Sequence, residues 1–379
     1  MLDIALIGAG PVGATVAALL ADHGLSVAVF EARGGPSNDQ RTLALSHASR
    51  GFLEEARAWP AASATPIASI HISQQGGPGR TVIEASDQGL PALGYTVPFG
   101  ALEASLQARL RESPVEVAFG QSCEAITVTR DAATLRFASG REAQAKLLVL
   151  ADGGANSSRI PGISYETKDY GQLALTAAVR TDRATLGRAY ERFTPLGPVA
   201  LLPVEERFAL VWTATPEEAK RLMALEEGAF LAALQEHFGD RAGRFVSAGP
   251  RAAFPLRLRT VNSTVALRTV IVGNAAQALH PIAGQGLNLG LRDAVELVEA
   301  ITATAPDALG SDAMLFAYRD ARRRDAARGV AFTDFLVSAF ADRRRIPTWL
   351  RGLALAALDV VPPARQLLAD RMIHGAPAP

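Results

Sequence analysis

Two glycine-rich stretches carry the first chemical signal. Near the N-terminus, Gly8, Gly10 and Gly13 form G-x-G-x-x-G in "GAGPVG". Far along the chain, Gly273 to Ala294 reads "GNAAQALHPIAGQGLNLGLRDA". In the first, Gly8 permits a tight turn, Gly10 lets a pyrophosphate approach the backbone, and Gly13 lets a helix pack on a strand. Glu31 closes the next apolar run, "SVAVF", where a carboxylate can accept from ribose hydroxyls. In the second, Asn274 can bond a polyol hydroxyl, and Gly284 and Gly286 let backbone approach a planar ring. A helix from about Leu287 would aim its N–H groups at negative charge on that ring. One such turn holds one phosphate. Two, far apart in sequence, imply one long ligand held at both ends.

The elements that must position these turns are legible. "DIALIGAG" is an apolar strand, "PVGATVAALLADHG" has helical periodicity closing on Gly24, and "SVAVFEA" is a second strand, giving a β-α-β unit. From about Ala125 a meander turns at Asp131 and at Ser139-Gly140, and its last strand, "LLVL", runs into Asp152 and Gly153. "LALTAAVRT", "AYERFT", "VALLPV" and "FALVWT" read as antiparallel strands, followed by the helical stretch "PEEAKRLMALEEGAFLAALQEHFG". The remainder after the second glycine-rich stretch is mostly helical. No internal repeat or low-complexity tract appears.

Composition narrows the function. The chain has 379 residues, with 38 basic and 38 acidic side chains, so no electrostatic case for nucleic acid arises. Cys123 is the only cysteine, which excludes an internal disulfide and a cysteine-rich zinc site. No histidine–carboxylate spacing suggests a metal, and no G-x-S-x-G elbow suggests a hydrolase. His71 lies in an alternating strand and reads as structural. No run approaches the ~18–20 apolar residues that span a bilayer, and the N-terminus lacks the pattern of a signal peptide. The expected place is the cytoplasm, with peripheral contact at the inner face of the cytoplasmic membrane.

The sequence resembles the flavoprotein aromatic hydroxylases and, within them, the ubiquinone-biosynthesis hydroxylases of the polyprenyl-phenol branch. The similarity spans nearly the whole chain: "DQRTLALSHAS", "PIASIHIS", "LGYTVP", "ERFTPLGPVALLP", "LVWT", "FPLRLR", the long second signature and "YRDARRRD". The second residue of that signature is Asp in most of the wider family and Asn274 here, as in the polyprenyl-phenol branch. "DGGANSSR" carries one residue more than the usual D-G-x-x-S pattern.

The resemblance implies FAD as cofactor and NAD(P)H as reductant. Gly8, Gly10, Gly13 and Glu31 match the ADP-binding positions. Arg41 matches an arginine near the FAD, and Asp152 a strand-end aspartate associated with FAD and with reductant binding. Asn274 falls at the ribityl contact, Pro281 where a carbonyl faces the reacting edge of the flavin, and Gly284, Gly286, Leu287 and Asn288 along the isoalloxazine ring. The implied reaction is hydroxylation of a polyprenylated phenol through a flavin C4a-hydroperoxide. His280 beside Pro281 fits either a proton role or a loop-orienting one.

The expected fold is α/β: a Rossmann-like FAD-binding domain (1–65, 90–162 and 256–325) with an inserted antiparallel-sheet substrate domain (66–89 and 163–255) and C-terminal helices (326–379). Two rival functions stay open. One is a hydroxylase of an unprenylated aromatic acid, which needs a buried Arg or Lys for the carboxylate. The other is a flavin-binding subunit without turnover. Partners implied are the polyprenyl phenol, other quinone-biosynthesis proteins and a membrane surface. For the last, Leu350, Leu353, Ala357, Leu358 and Val361 make an apolar helical face beside Arg343-Arg344-Arg345, which suits either packing on the domain or docking on anionic lipid.

Overall fold

The computed structural model describes residues 1–76, 80–194, 196–279, 285–323 and 373. The C-terminal apolar face and the expected C-terminal helices lie outside the described residues.

The first sheet is built from apolar runs buried on both faces, which is why they read as continuous rather than alternating. Its core is four parallel strands in the order Thr269–Ile271, Glu142–Leu150, Leu2–Ile7 and Val27–Phe30. Because they run the same way, the residues following each strand come out at one edge. Val272-Gly273, Ala151-Asp152, Gly8 and Glu31 therefore line up side by side, although the sequence scatters them across the chain. Ligands of open α/β sheets bind at this carboxyl edge. The meander strands Cys123–Val128 and Ala133–Phe137 extend the sheet antiparallel to Glu142–Leu150.

Two helices pack together on this sheet: Pro11–Leu20, which follows the first glycine turn, and Gln285–Thr302, which follows the second. Their approach is set by two glycines around one valine. A Cβ on Gly290 would meet Val12 Cγ2 at 2.8 Å and the Gly273 Cα at 3.2 Å, and a Cβ on Gly273 would meet Val12 Cγ2 at 2.9 Å. Gly273 also has φ of +61°, open to glycine without strain. Val12 sits in the middle of the first fingerprint, so this contact locks the two turns to each other.

The second sheet has nine strands. Along it run Gln277–Ala278, Ala252–Val261, Tyr165–Thr181, Arg207–Ala214, Val199–Val204, Arg188–Phe193, Ser69–Gln74 and Arg80–Glu84, with Phe245–Ala248 beside Tyr165–Thr181. It is antiparallel except where Ser69–Gln74 runs parallel to Arg188–Phe193. Ala252–Val261 crosses the boundary expected at residue 256, and Gln277–Ala278, from the second glycine-rich stretch, adds an edge strand. The stretch expected to be helical forms two helices, Pro216–Ala224 and Glu227–Phe238, because Leu225 and Glu226 are extended. Thr215 caps the first, its hydroxyl accepting from Glu218 N–H. Both helices cover one face of the sheet, closing a core of Leu175, Leu201, Phe208, Leu210, Trp212 and Phe230.

A three-stranded sheet, Thr42–Ser46, Gly94–Pro98 and Thr65–Ile67, joins the two parts. Asn288 on the Gln285–Thr302 helix pins it. Its amide donates to Ala44 O at 3.0 Å, while its carbonyl accepts from Ser46 N–H at 2.8 Å and from the Ser49 hydroxyl at 2.7 Å. On the other side the Thr96 hydroxyl donates to Pro203 O in the large sheet.

In an exposed helix, Gly→Ala raises stability by ~1 kcal/mol. At Gly290 the sign reverses. Gly290→Ala pushes into Val12 and the Gly273 backbone and lowers stability by about 1–3 kcal/mol, the range for overpacking. A urea unfolding curve reads the difference; a stabilised variant would contradict the clasp.

Candidate active site

The first turn has the geometry of a phosphate cradle. A Cβ on Gly8 would lie 2.6 Å from Ala151 O, and one on Gly13 would lie 2.1 Å from Gly8 O, so both glycines are required by the protein itself. Gly10 differs: nothing lies within 4 Å of its Cβ position. The helix behind it begins with Pro11 at its first turn, and no side chain caps it. That leaves backbone N–H groups facing open space with the helix dipole behind them, the arrangement that holds a pyrophosphate. Gly286, at the start of the second helix, likewise has nothing within 4 Å of its Cβ position. The residues present thus fit a ligand running between the two turns.

Glu31 is buried at the end of its strand. Its carboxylate accepts from Ala9 N–H at 2.8 Å and from Arg33 N–H and Nε, each at 3.0 Å. Arg33 reaches on to Glu103 at 3.0 Å. Burial alone raises the Glu31 carboxyl, but the Arg33 and Ala9 bonds outweigh it and bring the pKa below the ordinary glutamate value. Glu31 is therefore ionised, and it holds the Gly8–Gly10 turn through Ala9 N–H.

Asp152 turns back on its own loop. It accepts from Gly154 N–H at 2.9 Å and from Asn156 N–H and Nδ2, each at 2.8 Å. Gly153, at φ of +70°, has open space at its Cβ position. Asn274 is exposed in the short turn Gly273–Ala275, its side chain free to reach a ligand. Arg41 is more than half exposed and paired with Asp39 at 2.5 Å, its guanidinium 6.0 Å from the centre of the Phe99 ring. Leu287 is half-buried against the first core, and the Asn288 side chain is committed to the three-stranded sheet. His280, Pro281 and Gly284 lie outside the described residues.

Four residues that the sequence reading does not single out organise the second turn. Asp293 is buried and accepts from Gly273 N–H at 3.0 Å. Arg322, 2 % exposed, donates to Asp293 through Nε at 2.8 Å and Nη2 at 2.5 Å, and to Glu296 at 3.0 Å. Arg259 donates to Gly153 O and, at 3.2 Å, to Asn274 O, joining the Asp152 loop to the second turn. Tyr165 lies under the Arg259 guanidinium at 4.6 Å, and its hydroxyl donates to Ala275 O at 2.7 Å. Asp293 and Arg322 stand within "GLRD" and "YRDARRRD", and Arg259 ends "FPLRLR"; those runs were the available signal.

Residues 1–333 match the FAD binding domain family. The chain belongs to that family. It is 33% identical to ubiquinone hydroxylase UbiL of Rhodospirillum rubrum, over 96% of this chain and 88% of the relative. It is 30% identical to 3-demethoxyubiquinol 3-hydroxylase of Escherichia coli, over 94% of each. Among solved structures it shares the fold of Klebsiella pneumoniae HpxO complexed with FAD. That match has a TM-score of 0.80 and 18% identity, covering 100% of both chains. As a member of this family the protein is an FAD-dependent aromatic-ring monooxygenase, with NAD(P)H as the reductant typical of the group. FAD supplies the oxygen chemistry when bound; the protein places it, orients the ring to be hydroxylated and keeps water away.

Two variants separate folding from cofactor binding. The Cβ of Gly10→Val meets no protein atom within 4 Å, so the fold is expected to survive while the side chain fills the pyrophosphate space. The purified protein is expected colourless, with an unchanged apoprotein melting point. Asp293→Ala instead takes the closer carboxylate away from the buried Arg322 charge and is expected to remove about 3–5 kcal/mol of stability. Flavin absorbance and denaturant unfolding measure both; a yellow Gly10→Val protein would contradict the cradle.

Proposed function

We propose that this protein hydroxylates the ring of a polyprenylated phenol in ubiquinone biosynthesis. The observation that carries the reading is the character of one sheet face. Two helices cover the side of the large sheet bearing Leu175, Leu201, Leu210 and Trp212. Side chains alternate across a strand, so Thr176, Ala200, Leu202, Ala209 and Val211 stand on the other side. All five are half-buried in mid-sheet, as the wall of a cleft is. Among the described residues of this mid-sheet wall no Arg or Lys is present, and the ionisable group there is an acid, Glu191. An aromatic acid would meet no counter-ion and would be repelled. A neutral phenol with an apolar tail suits the surface.

The same face continues to the edge. Phe254 pairs with Ala174 and is 42% exposed. Four strand spacings separate Arg188–Phe193 from Ala252–Val261, about 19 Å of apolar wall at ~4.8 Å per spacing. This length suits a prenyl chain lying across the sheet with its phenol at the Glu191 end. Among the described residues no helix is long and apolar enough to cross a membrane. A bilayer-resident substrate therefore calls for peripheral docking at the inner face of the membrane, alone or with other quinone-biosynthesis proteins.

The FAD-loaded protein with NAD(P)H is expected to consume oxygen faster when a polyprenyl phenol is added, and to place one atom of labelled dioxygen in its ring. A benzoate of similar ring substitution is expected to leave oxygen uptake at its basal rate; efficient benzoate hydroxylation would contradict the reading. Phe254→Ser is expected to raise KM severalfold for a long-chain phenol and leave a short-chain phenol unaffected. Equal effects on both would remove Phe254 from the chain track.

A further inference from the structure

Glu191 stands out by what it lacks. It lies in Arg188–Phe193, beside Ile72 on one side and Ala200 on the other, and the row continues through Val211 and Thr176. None of these neighbours is charged or titratable. Its chain neighbours Tyr190 and Arg192 point to the opposite face, where Tyr190 packs on Phe208 and Phe238 and Arg192 Nη1 donates to Ser73 at 3.4 Å. Among the described residues nothing donates to or pairs with the Glu191 carboxyl. Every other carboxylate discussed above accepts from an arginine or from backbone N–H groups. A carboxyl held on the apolar wall of a cleft, half-buried and without a partner, is costly unless a ligand completes it.

We propose that Glu191 receives the phenolic hydroxyl of the substrate, fixing the ring in the cleft and taking its proton. This rests on the hydroxylase reading above and adds the residue that acts on the phenol. Loss of solvation at this site pushes the carboxyl up to about 7. That narrows the gap to a phenol, whose pKa is ~10, and lets the group change charge near neutral pH. In the step, the phenol O–H bond breaks, its electron pair stays on oxygen and enriches the ring toward the electrophilic oxygen. The proton rests on a Glu191 Oε and is returned as the second atom of dioxygen leaves as water. Dioxygen is the oxidant and NAD(P)H the reductant, as in the parent reaction. The acid form already carries its proton and cannot take the phenol's, so the rate falls as pH drops below about 7.

The test uses FAD-loaded wild type, Glu191→Gln and Glu191→Asp, with 2-prenylphenol as the probe. Glu191→Gln is nearly isosteric and removes an unpaired charge, so it is expected to keep its melting point and its flavin spectrum. Its kcat for hydroxylated product is expected to fall on the order of 10²-fold or more, with KM changed far less. The acid limb of the wild-type pH profile is expected to vanish, and Glu191→Asp to recover part of the rate with the limb restored. A Gln variant with wild-type kcat and an intact acid limb overturns the role of Glu191 and leaves the hydroxylase reading standing. A wild type that forms no hydroxylated prenylphenol overturns both.

Discussion

One packing contact holds this enzyme's two ends together: Val12 between Gly273 and Gly290. It places the residue inside the N-terminal fingerprint directly against the turn and helix of the C-terminal signature. Nothing larger than hydrogen fits at either glycine, so the two helices come to rest at one separation. Beneath the contact, the Asp293 carboxylate fixes Gly273 N–H, and Arg322 neutralises Asp293 in a buried pair. A buried pair of this kind adds little net stability against an apolar alternative. Its effect is geometric, since it fixes the amide that begins the second turn.

The parallel strands then set where the chemistry occurs. Four of them end at the same edge, so carboxylates and open glycines from four parts of the chain form one groove. The large sheet is attached to that groove through Gln277–Ala278 at its edge and through Arg259 and Tyr165, and its body is tied to the three-stranded sheet through Thr96 and Pro203. Its helices occupy the outer face. The face left uncovered is apolar in the middle and carries an acid without a counter-ion. An uncharged phenol fits such a surface and a benzoate does not. This difference decides substrate class more sharply than the fold, which serves many substrates.

Local features were readable from sequence, and long-range ones were not. The fingerprint glycines, the β-α-β unit and the meander follow from spacing and turn residues over a few positions. Glu31 and Asp152 were read as ligand contacts. The structure shows that each also holds its own turn, Glu31 through Ala9 N–H and Asp152 through Gly154 and Asn156. Asn288 stands in the signature that the resemblance puts along the flavin ring, and its side chain bonds Ala44, Ser46 and Ser49, about 240 residues away in the chain. The strand read from "LALTAAVRT" begins earlier than that run, since Tyr165–Thr181 includes the polar "YETKDYGQ". A register shift falls between Asp169 and Leu173, beside the exposed Asp169–Arg257 pair. The Asp293–Arg322 and Arg259–Asn274 bonds depend on how distant elements dock, which no local periodicity encodes. Glu191 was hidden for a related reason: its meaning depends on which sheet face the helices cover.

One FAD gripped by both glycine-rich turns at once would protect the two turns together. Hydrogen exchange of the apoprotein with and without FAD tests it most directly. FAD is expected to slow amide exchange in two separate peptides, one covering Gly8–Gly13 and one covering Gly286–Gly290, with the same dependence on FAD concentration. Protection confined to the N-terminal turn, or appearing in the two peptides at different FAD concentrations, would contradict it.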